Sequence, residues 1–265
     1  MEKIQSTQNS RIKNVQKLYA KSKERIEQNL FVIEGARELN LALAAYYSLD
    51  TVFICPELFS KTDYPEIINK IPSDIIFEVT LPVFQKIAYR ENSDGIIALA
   101  KPKHHLLNDL NLSENPLVIV LEAVEKPGNL GAILRTADAA KVDAVVICDP
   151  LTDLYNPNVI RSSVGCIFTV RVAVSTNPNT FSFLREKQIR TFAAELEASQ
   201  WYHDTDFTKA CALIMGTEAD GLSKFWLENA DARIKIPMRG KIDSLNVSVS
   251  TAVLTFEAAR QRGFT

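Results

Sequence analysis

Three short apolar runs, Leu117–Leu121, Ala144–Cys148 and Cys211–Met215, limit what this 265-residue chain can fold into more than any other feature. A strand with one wet face alternates apolar and polar residues, whereas a strand apolar at every position needs cover on both faces. Helix-period segments separate the runs. The spacing predicts helices over Ala132–Ala140, Asn158–Val164, Phe181–Lys187 and Lys224–Ala230, and strands over Phe168–Val174, Arg190–Ala194 and Arg233–Ile236. The tail reads as a C-terminal helix with Val249, Val253 and Phe256 on one face. Strands alternating with helices imply an α/β fold with a mainly parallel sheet and helices on both faces.

The front of the chain reads as a smaller α/β unit. Residues 10–28 form a basic helix with Ile12, Val15, Leu18 and Tyr19 at helical spacing, followed by strand Leu30–Ile33 and helix Ala36–Tyr47. Strand Thr51–Cys55, strand Ile75–Val79, helix Pro82–Ala88 and strand Gly95–Ala100 complete it. The polar stretch after Lys101-Pro102-Lys103 breaks the pattern, giving a front domain over 1–100, a linker over 101–115 and a second domain over 116–265.

Composition excludes several classes. The longest apolar runs fall well short of the ~20 residues of a membrane span. The N-terminus lacks a basic segment followed by an apolar core, so a cytoplasmic protein is expected. Cys55, Cys148, Cys166 and Cys211 are scattered and read as reduced, buried thiols. Three histidines and no Cys/His cluster leave no zinc site, and no metal is expected. Nucleophile-elbow, P-loop and dinucleotide fingerprints are all absent. Net charge is −2, yet residues 1–37 hold eight basic residues against four acidic ones, a local charge of +4. Arg11, Lys13, Lys17 and Arg37 in that segment are candidates for contact with a polyanion; a solvated helix face explains them equally well.

Three loops follow predicted strands and so gather at one sheet edge, the edge where open α/β sheets take ligands. In the first, Gly128 and Gly131 flank Asn129, and Arg135 follows one helical turn later, placed to grip a phosphate or to pair with Asp138 on the surface. In the second, Gly216 and Gly221 bracket Glu218, which can pair with Arg135; the alternative is a turn with Ser223 capping a helix. In the third, Ser244 and Asn246 precede a helix that they can cap or whose positive end they can use to hold phosphate.

Taken together, Pro127 through Ala139, Met215-Gly216-Thr217-Glu218-Ala219-Asp220-Gly221-Leu222-Ser223, and Ile236-Pro237-Met238 through Ser244-Leu245-Asn246-Val247-Ser248-Val249-Ser250 closely resemble the three motifs of the SpoU (TrmH) family. These are SPOUT-class RNA 2′-O-ribose methyltransferases. Asn9-Ser10-Arg11-Ile12-Lys13 and Phe31-Val32-Ile33-Glu34-Gly35 resemble, more loosely, the opening of that family's substrate-binding domain, a ribosomal-protein-like α/β fold.

The resemblance implies a deep trefoil knot, a homodimer whose sites are completed by the partner, and S-adenosyl-L-methionine as cofactor. It places Gly216, Thr217, Glu218, Gly221, Ile236, Pro237, Met238, Ser244 and Leu245 at the cofactor, and Arg135, Asn129, Glu218, Ser244 and Asn246 in the catalytic set. The implied substrate is a ribosomal RNA, most often 23S. A transfer RNA substrate, or an RNA-binding assembly protein that has lost activity, is the alternative. Lys126, Thr217, Ala219 and Ser250 depart from the residues most common in relatives without removing a catalytic position.

Overall fold

The computed structural model describes residues 2–59, 64–198 and 200–264. In chain order the first elements are β1 (Glu2–Ile4), α1 (Ser10–Ala20), α2 (Ser22–Gln28), β2 (Phe31–Glu34), α3 (Ala36–Ala44), β3 (Leu49–Ile54), α4 (Tyr64–Ile68), β4 (Ile76–Val79), α5 (Leu81–Ile87) and β5 (Ile96–Ala100). There follow β6 (Leu117–Glu122), α6 (Pro127–Ala139), β7 (Ala144–Cys148), α7 (Pro157–Ser162), β8 (Val172–Ser175), α8 (Asn177–Glu186), β9 (Arg190–Ala194) and β10 (Gln200–Trp201). The last are β11 (Cys211–Met215), α9 (Lys224–Asn229), β12 (Ala232–Lys235) and α10 (Val247–Gln261). One unit takes in the chain through His104 together with Asp153–Thr169; the other takes His105–Thr152 and the chain from Val170 onward.

The first unit is built on a five-stranded mixed sheet, order β1-β4-β3-β5-β2, with β5 antiparallel to both of its neighbours. Helix α1 buries Ile12, Val15 and Leu18 against a core that includes Val32, Phe53, Phe77 and Phe84. The basic helix predicted over 10–28 is two helices. Lys21 takes an extended conformation, φ −130° and ψ 120°, between α1 and α2. The break has a physical reason. It turns Arg25 inward, where one guanidinium nitrogen donates to the Leu18 carbonyl at 2.5 Å, one of the orphan carbonyls at the end of α1. Its Nε donates to Asp153 Oδ2 at 2.6 Å, with the Arg25 side chain only 5% exposed. Removing one partner of such a pair strands the other, so Arg25→Ala is expected to destabilise this unit by about 3–5 kcal/mol, read as a lower denaturation midpoint in urea.

Asp153–Thr169 carries α7 and belongs to this unit although it lies in the second half of the sequence. The Tyr155 ring stacks on Phe31 at 4.2 Å, and its hydroxyl shares a 3.1 Å hydrogen bond with that of Tyr47. Phe168 packs against Tyr47 at 5.0 Å. The strand predicted from Phe168 therefore starts only at Val172, because Cys166–Phe168 form a 3-10 turn that buries all three side chains.

The second unit holds a seven-stranded sheet, order β10-β12-β9-β11-β6-β7-β8, with every pair parallel. Val118, Val120, Val146, Ala212 and Ile214 form one core with Phe183, Leu184 and Trp226 from α8 and α9. The intervening strand residues face the other way, towards α6 and α10, which pack on each other. Sheet order reverses direction between β6 and β11, the kind of switch point that opens a crevice at the strands' carboxyl ends.

One predicted feature of this unit is corrected. Helix α6 starts at Pro127, not Ala132, so the Gly128–Gly131 segment is its opening turns and Lys126 its N-cap. Proline at the first helical position suits this start, since its missing N–H would be unpaired there anyway. In α10 the face that carries Val249 and Phe256 is the outer one. Val247, Thr251, Leu254, Thr255, Ala258 and Ala259 are buried, whereas Val249 and Phe256 are 47% and 42% exposed. All four cysteines are buried; burial pushes Cys148 up to about 12 and Cys211 up to about 11, so neither presents a thiolate at neutral pH. Among the described residues no helix is long and apolar enough to cross a membrane.

Candidate active site

The loops after β6, β11 and β12 leave the carboxyl ends of parallel strands and so meet at one sheet edge. Their anchor is a buried carboxylate that the motif spacing alone does not reveal. Glu122 closes β6; one oxygen accepts from Asn177 Nδ2 at 2.5 Å and the other from the Ser223 backbone N–H at 2.8 Å. Asn177 in turn accepts from Trp226 Nε1 at 2.8 Å. This chain locks the start of α8 and the start of α9 to the end of β6, and thereby fixes where the Gly216–Ser223 loop ends.

That loop is narrow. The Thr217 N–H donates to the Gly221 carbonyl at 2.9 Å, and Gly221 sits at φ +67°, a left-handed conformation that suits glycine. A methyl group on Gly216 would lie 2.2 Å from the Gly221 backbone. Glycine at 216 is therefore a packing requirement, and it leaves the loop's backbone groups bare towards the crevice.

Glu218 is the hub. Its carboxylate accepts from Lys126 Nζ, from Asn129 Nδ2 at 3.0 Å and from Asn246 Nδ2. Asn246 also donates to Asn129 Oδ1 at 3.2 Å, and its own Oδ1 caps α10 by accepting from the Ser248 N–H at 2.9 Å. One side chain from each of the three motif loops is thus joined through one carboxylate. The hydrogen bond from Lys126, above all, holds the Glu218 carboxyl below its usual range. The acid predicted to pair with Arg135 pairs with Lys126 instead. Arg135 stands well inside α6, beyond its opening turns; it is exposed, makes no hydrogen bond or ion pair among the described residues, and lines neither cavity described next.

Two cavities share the 216–219 wall. The larger, about 600 Å³, is lined by Gly216, Thr217, Glu218, Gly221, Ile236, Met238, Ser244 and Leu245, with apolar cover from Leu222, Leu227, Ile234 and Leu254. Pro237 is absent from its lining. Ser244 donates to Asp243 Oδ1 at 3.0 Å rather than capping α10. Glu195, Glu197, Asp220 and Asp243 line it against Lys235, the single cation there among the described residues, and Glu195 is paired with Arg233 at 3.1 Å. The smaller cavity, about 130 Å³, is lined by Lys126, Asn129, Thr217 and Glu218 among others. A pocket of 600 Å³ with an apolar floor, bare backbone and carboxylates suits a nucleoside-sized cation.

Residues 116–256 match the model of the SpoU rRNA methylase family. The chain belongs to that family. Residues 9–98 match an MRM3-like substrate binding domain. The 23S rRNA (guanosine(2553)-2′-O)-methyltransferase RlmP of Bacillus subtilis is 30% identical over 261 residues, covering 97% of this chain and 98% of that protein. The 23S rRNA (guanosine-2′-O-)-methyltransferase RlmB of Vibrio cholerae is 40% identical over 64% of this chain and 72% of its own length. Among solved structures, an RNA 2′-O ribose methyltransferase aligns with a TM-score of 0.85 at 36% identity, covering 98% of this chain and 99% of that one. An S-adenosylmethionine-bound rRNA methyltransferase from Sinorhizobium meliloti aligns with a TM-score of 0.89 at 27% identity, covering 98% and 97%.

In the substrate-binding part of this SpoU family member, Arg11, Lys13, Lys17 and Arg37 are all exposed. Arg11 lies over the Phe77 ring at 4.4 Å and within 4.0 Å of Glu2. Lys13, Lys17 and Arg37 form no ion pair among the described residues, which leaves their charge available to a polyanion.

Proposed function

We propose that the protein is a cytoplasmic, S-adenosylmethionine-dependent methyltransferase that modifies a ribose 2′-hydroxyl of ribosomal RNA, 23S RNA first among them. The observation that carries this reading is the Glu218 hub, which ties the three motif loops together on the wall between a cofactor-sized cavity and a smaller one. When bound, S-adenosylmethionine supplies a methyl group already activated by sulfonium charge. Gly216, Ile236, Met238 and Leu245 would hold it, largely through backbone and apolar contact, with the carboxylates of Glu195, Asp220 and Asp243 favouring its positive charge.

The chain's own work is then alignment and charge control. Asn129 and Glu218, with Asn246 bonded to both, position the ribose at the smaller cavity; holding two reactants in register can contribute about 7–11 kcal/mol. Glu218 stays ionised and accepts hydrogen bonds. Arg135 stabilises the alkoxide as it forms and clamps a neighbouring phosphate; a guanidinium with pKa above ~12 is a poor general base. Ser244 orients cofactor or ribose beside Asp243.

The knot and the homodimer belong to this proposal. Arg135 lies outside both cavities of its own chain, on a helix packed against α10, whose outer face carries exposed Val249 and Phe256. An apolar stripe of this kind beside an unpaired arginine supports a second copy as occupant, its Arg135 completing the site. Phe256→Glu is expected to turn dimer into monomer in sedimentation at micromolar concentration and to take turnover with it. For the activity itself, mapping ribose methylation across total RNA with and without the gene is the test. A site lost in 23S RNA supports the reading, a site lost in transfer RNA redirects the substrate, and no lost site removes the activity.

A further inference from the structure

Lys126 is the residue that the motif reading passed over as a mere departure from its relatives. In the fold it is the N-cap of α6 and the sole cation on the Glu218 carboxylate among the described residues; the other donors there are the neutral side-chain amides of Asn129 and Asn246 and the Val247 backbone N–H. Its side chain is 67% exposed and that of Glu218 24%, so the pair adds little to global stability. Its placement at the mouth of the 130 Å³ cavity therefore points away from a purely structural purpose.

We propose that Lys126 is a positioning residue for methyl transfer: it pins the Glu218 carboxylate over the first turn of α6 and, through it, sets the Asn129 amide at the smaller cavity together with the Asn246 amide bonded to both. The proposal rests on the methyltransferase reading above and deepens it. The geometry supplies the reason. Asn129 and Asn246 each spend an amide N–H on the same Glu218 oxygen, and Asn246 bonds Asn129 as well, so all three side chains move together. The second Glu218 oxygen takes Lys126. Were Lys126 neutral or short, that oxygen would be left to solvent, and the carboxylate and the two amides bonded to it would be freer to rotate. Among the described residues, the other charged groups lining the two cavities are Glu125 at the smaller one and Glu195, Glu197, Asp220, Asp243 and Lys235 at the larger; Lys235, the one cation among them, lies over the Trp201 ring at 4.6 Å.

The test compares wild type with Lys126→Gln and Lys126→Arg in full-length protein. Methyl transfer from labelled S-adenosylmethionine to 23S rRNA transcribed in vitro is followed across pH, with cofactor affinity measured separately by calorimetry. Lys126→Gln is expected to lower kcat roughly tenfold with KM for RNA little changed. It also moves the acid limb of the kcat profile to higher pH: a carboxyl held low by a cation rises when the cation goes, so the ionised form is lost earlier on acidification. Lys126→Arg restores both rate and limb. A glutamine variant with wild-type kcat and an unmoved limb overturns the proposal, as does a loss confined to cofactor affinity. Titration of the Glu218 carboxyl by carbon NMR decides the pairing independently of turnover: no rise in the glutamine variant overturns the proposal. Failure of wild type to methylate the transcript would count against the methyltransferase reading, and the carboxyl titration would still decide the role of Lys126.

Discussion

Arg135→Ala is expected to reduce methyl transfer by about 10²–10³-fold, the scale seen when a donor to a developing oxyanion is removed, while cofactor affinity stays within error of wild type. The asymmetry follows from position. Arg135 projects from α6 outside the cavity lined by Gly216, Met238 and Leu245, so its loss removes no cofactor contact. It is exposed and unpaired in the isolated chain, so its loss leaves no buried partner stranded and the fold intact. The decisive measurement mixes Arg135→Ala with Glu218→Ala. If a second copy supplies the arginine, a mixed dimer of the two inactive variants carries one site with both groups intact and regains part of the turnover. If the arginine acts within its own chain, no mixed species recovers. Equal loss of cofactor affinity and rate in Arg135→Ala would remove the residue from the chemistry.

Gly216→Ala is expected to weaken cofactor binding by roughly 10- to 100-fold. The added methyl would meet the Gly221 carbonyl carbon and oxygen at 2.2 Å and the Leu222 nitrogen at 2.5 Å, all backbone atoms that cannot rotate aside. The loop must open, breaking the Thr217-to-Gly221 hydrogen bond, and Glu218 travels with it. Forced insertion of one methylene-sized group typically costs 1–3 kcal/mol, which corresponds to roughly 10- to 100-fold in affinity when the displaced wall is the binding surface itself. Calorimetry checks it, and far-ultraviolet circular dichroism shows whether the sheet survives. Wild-type affinity in this variant would mean that the loop is not part of the cofactor wall.

The elements most easily read from the chain were those whose signal is local. Cys211–Met215 and Ala144–Cys148 are strands at the predicted bounds, because an unbroken apolar run flanked by polar residues leaves few alternatives. The motifs at 127–139, 215–223 and 236–250 were legible because their order and spacing are specific. Partnerships between distant residues were not legible. Lys126 and Glu218 lie 92 residues apart, and nothing near either names the other. Helix α10 was legible as a helix, but which face packs inward was not: that face carries Thr251, Thr255, Ala258 and Ala259, small or hydroxyl-bearing residues suited to close packing on α6, while the larger Val249 and Phe256 point out. Helix α6 misled at its start: Gly128 and Gly131 suggested a loop, yet both are helical, and Gly131 is buried.

The excursion of Asp153–Thr169 has a consequence for anyone who cuts or recombines this gene. Because the polypeptide crosses from one body to the other three times, no single scissor site yields a self-sufficient front piece. A fragment stopping near residue 100 would lack Asp153 for its Arg25 and Tyr155 for its Phe31, and would bare an aromatic surface in their stead. Chimaeras that exchange RNA-reading modules between relatives must therefore transplant this internal stretch along with the amino-terminal one.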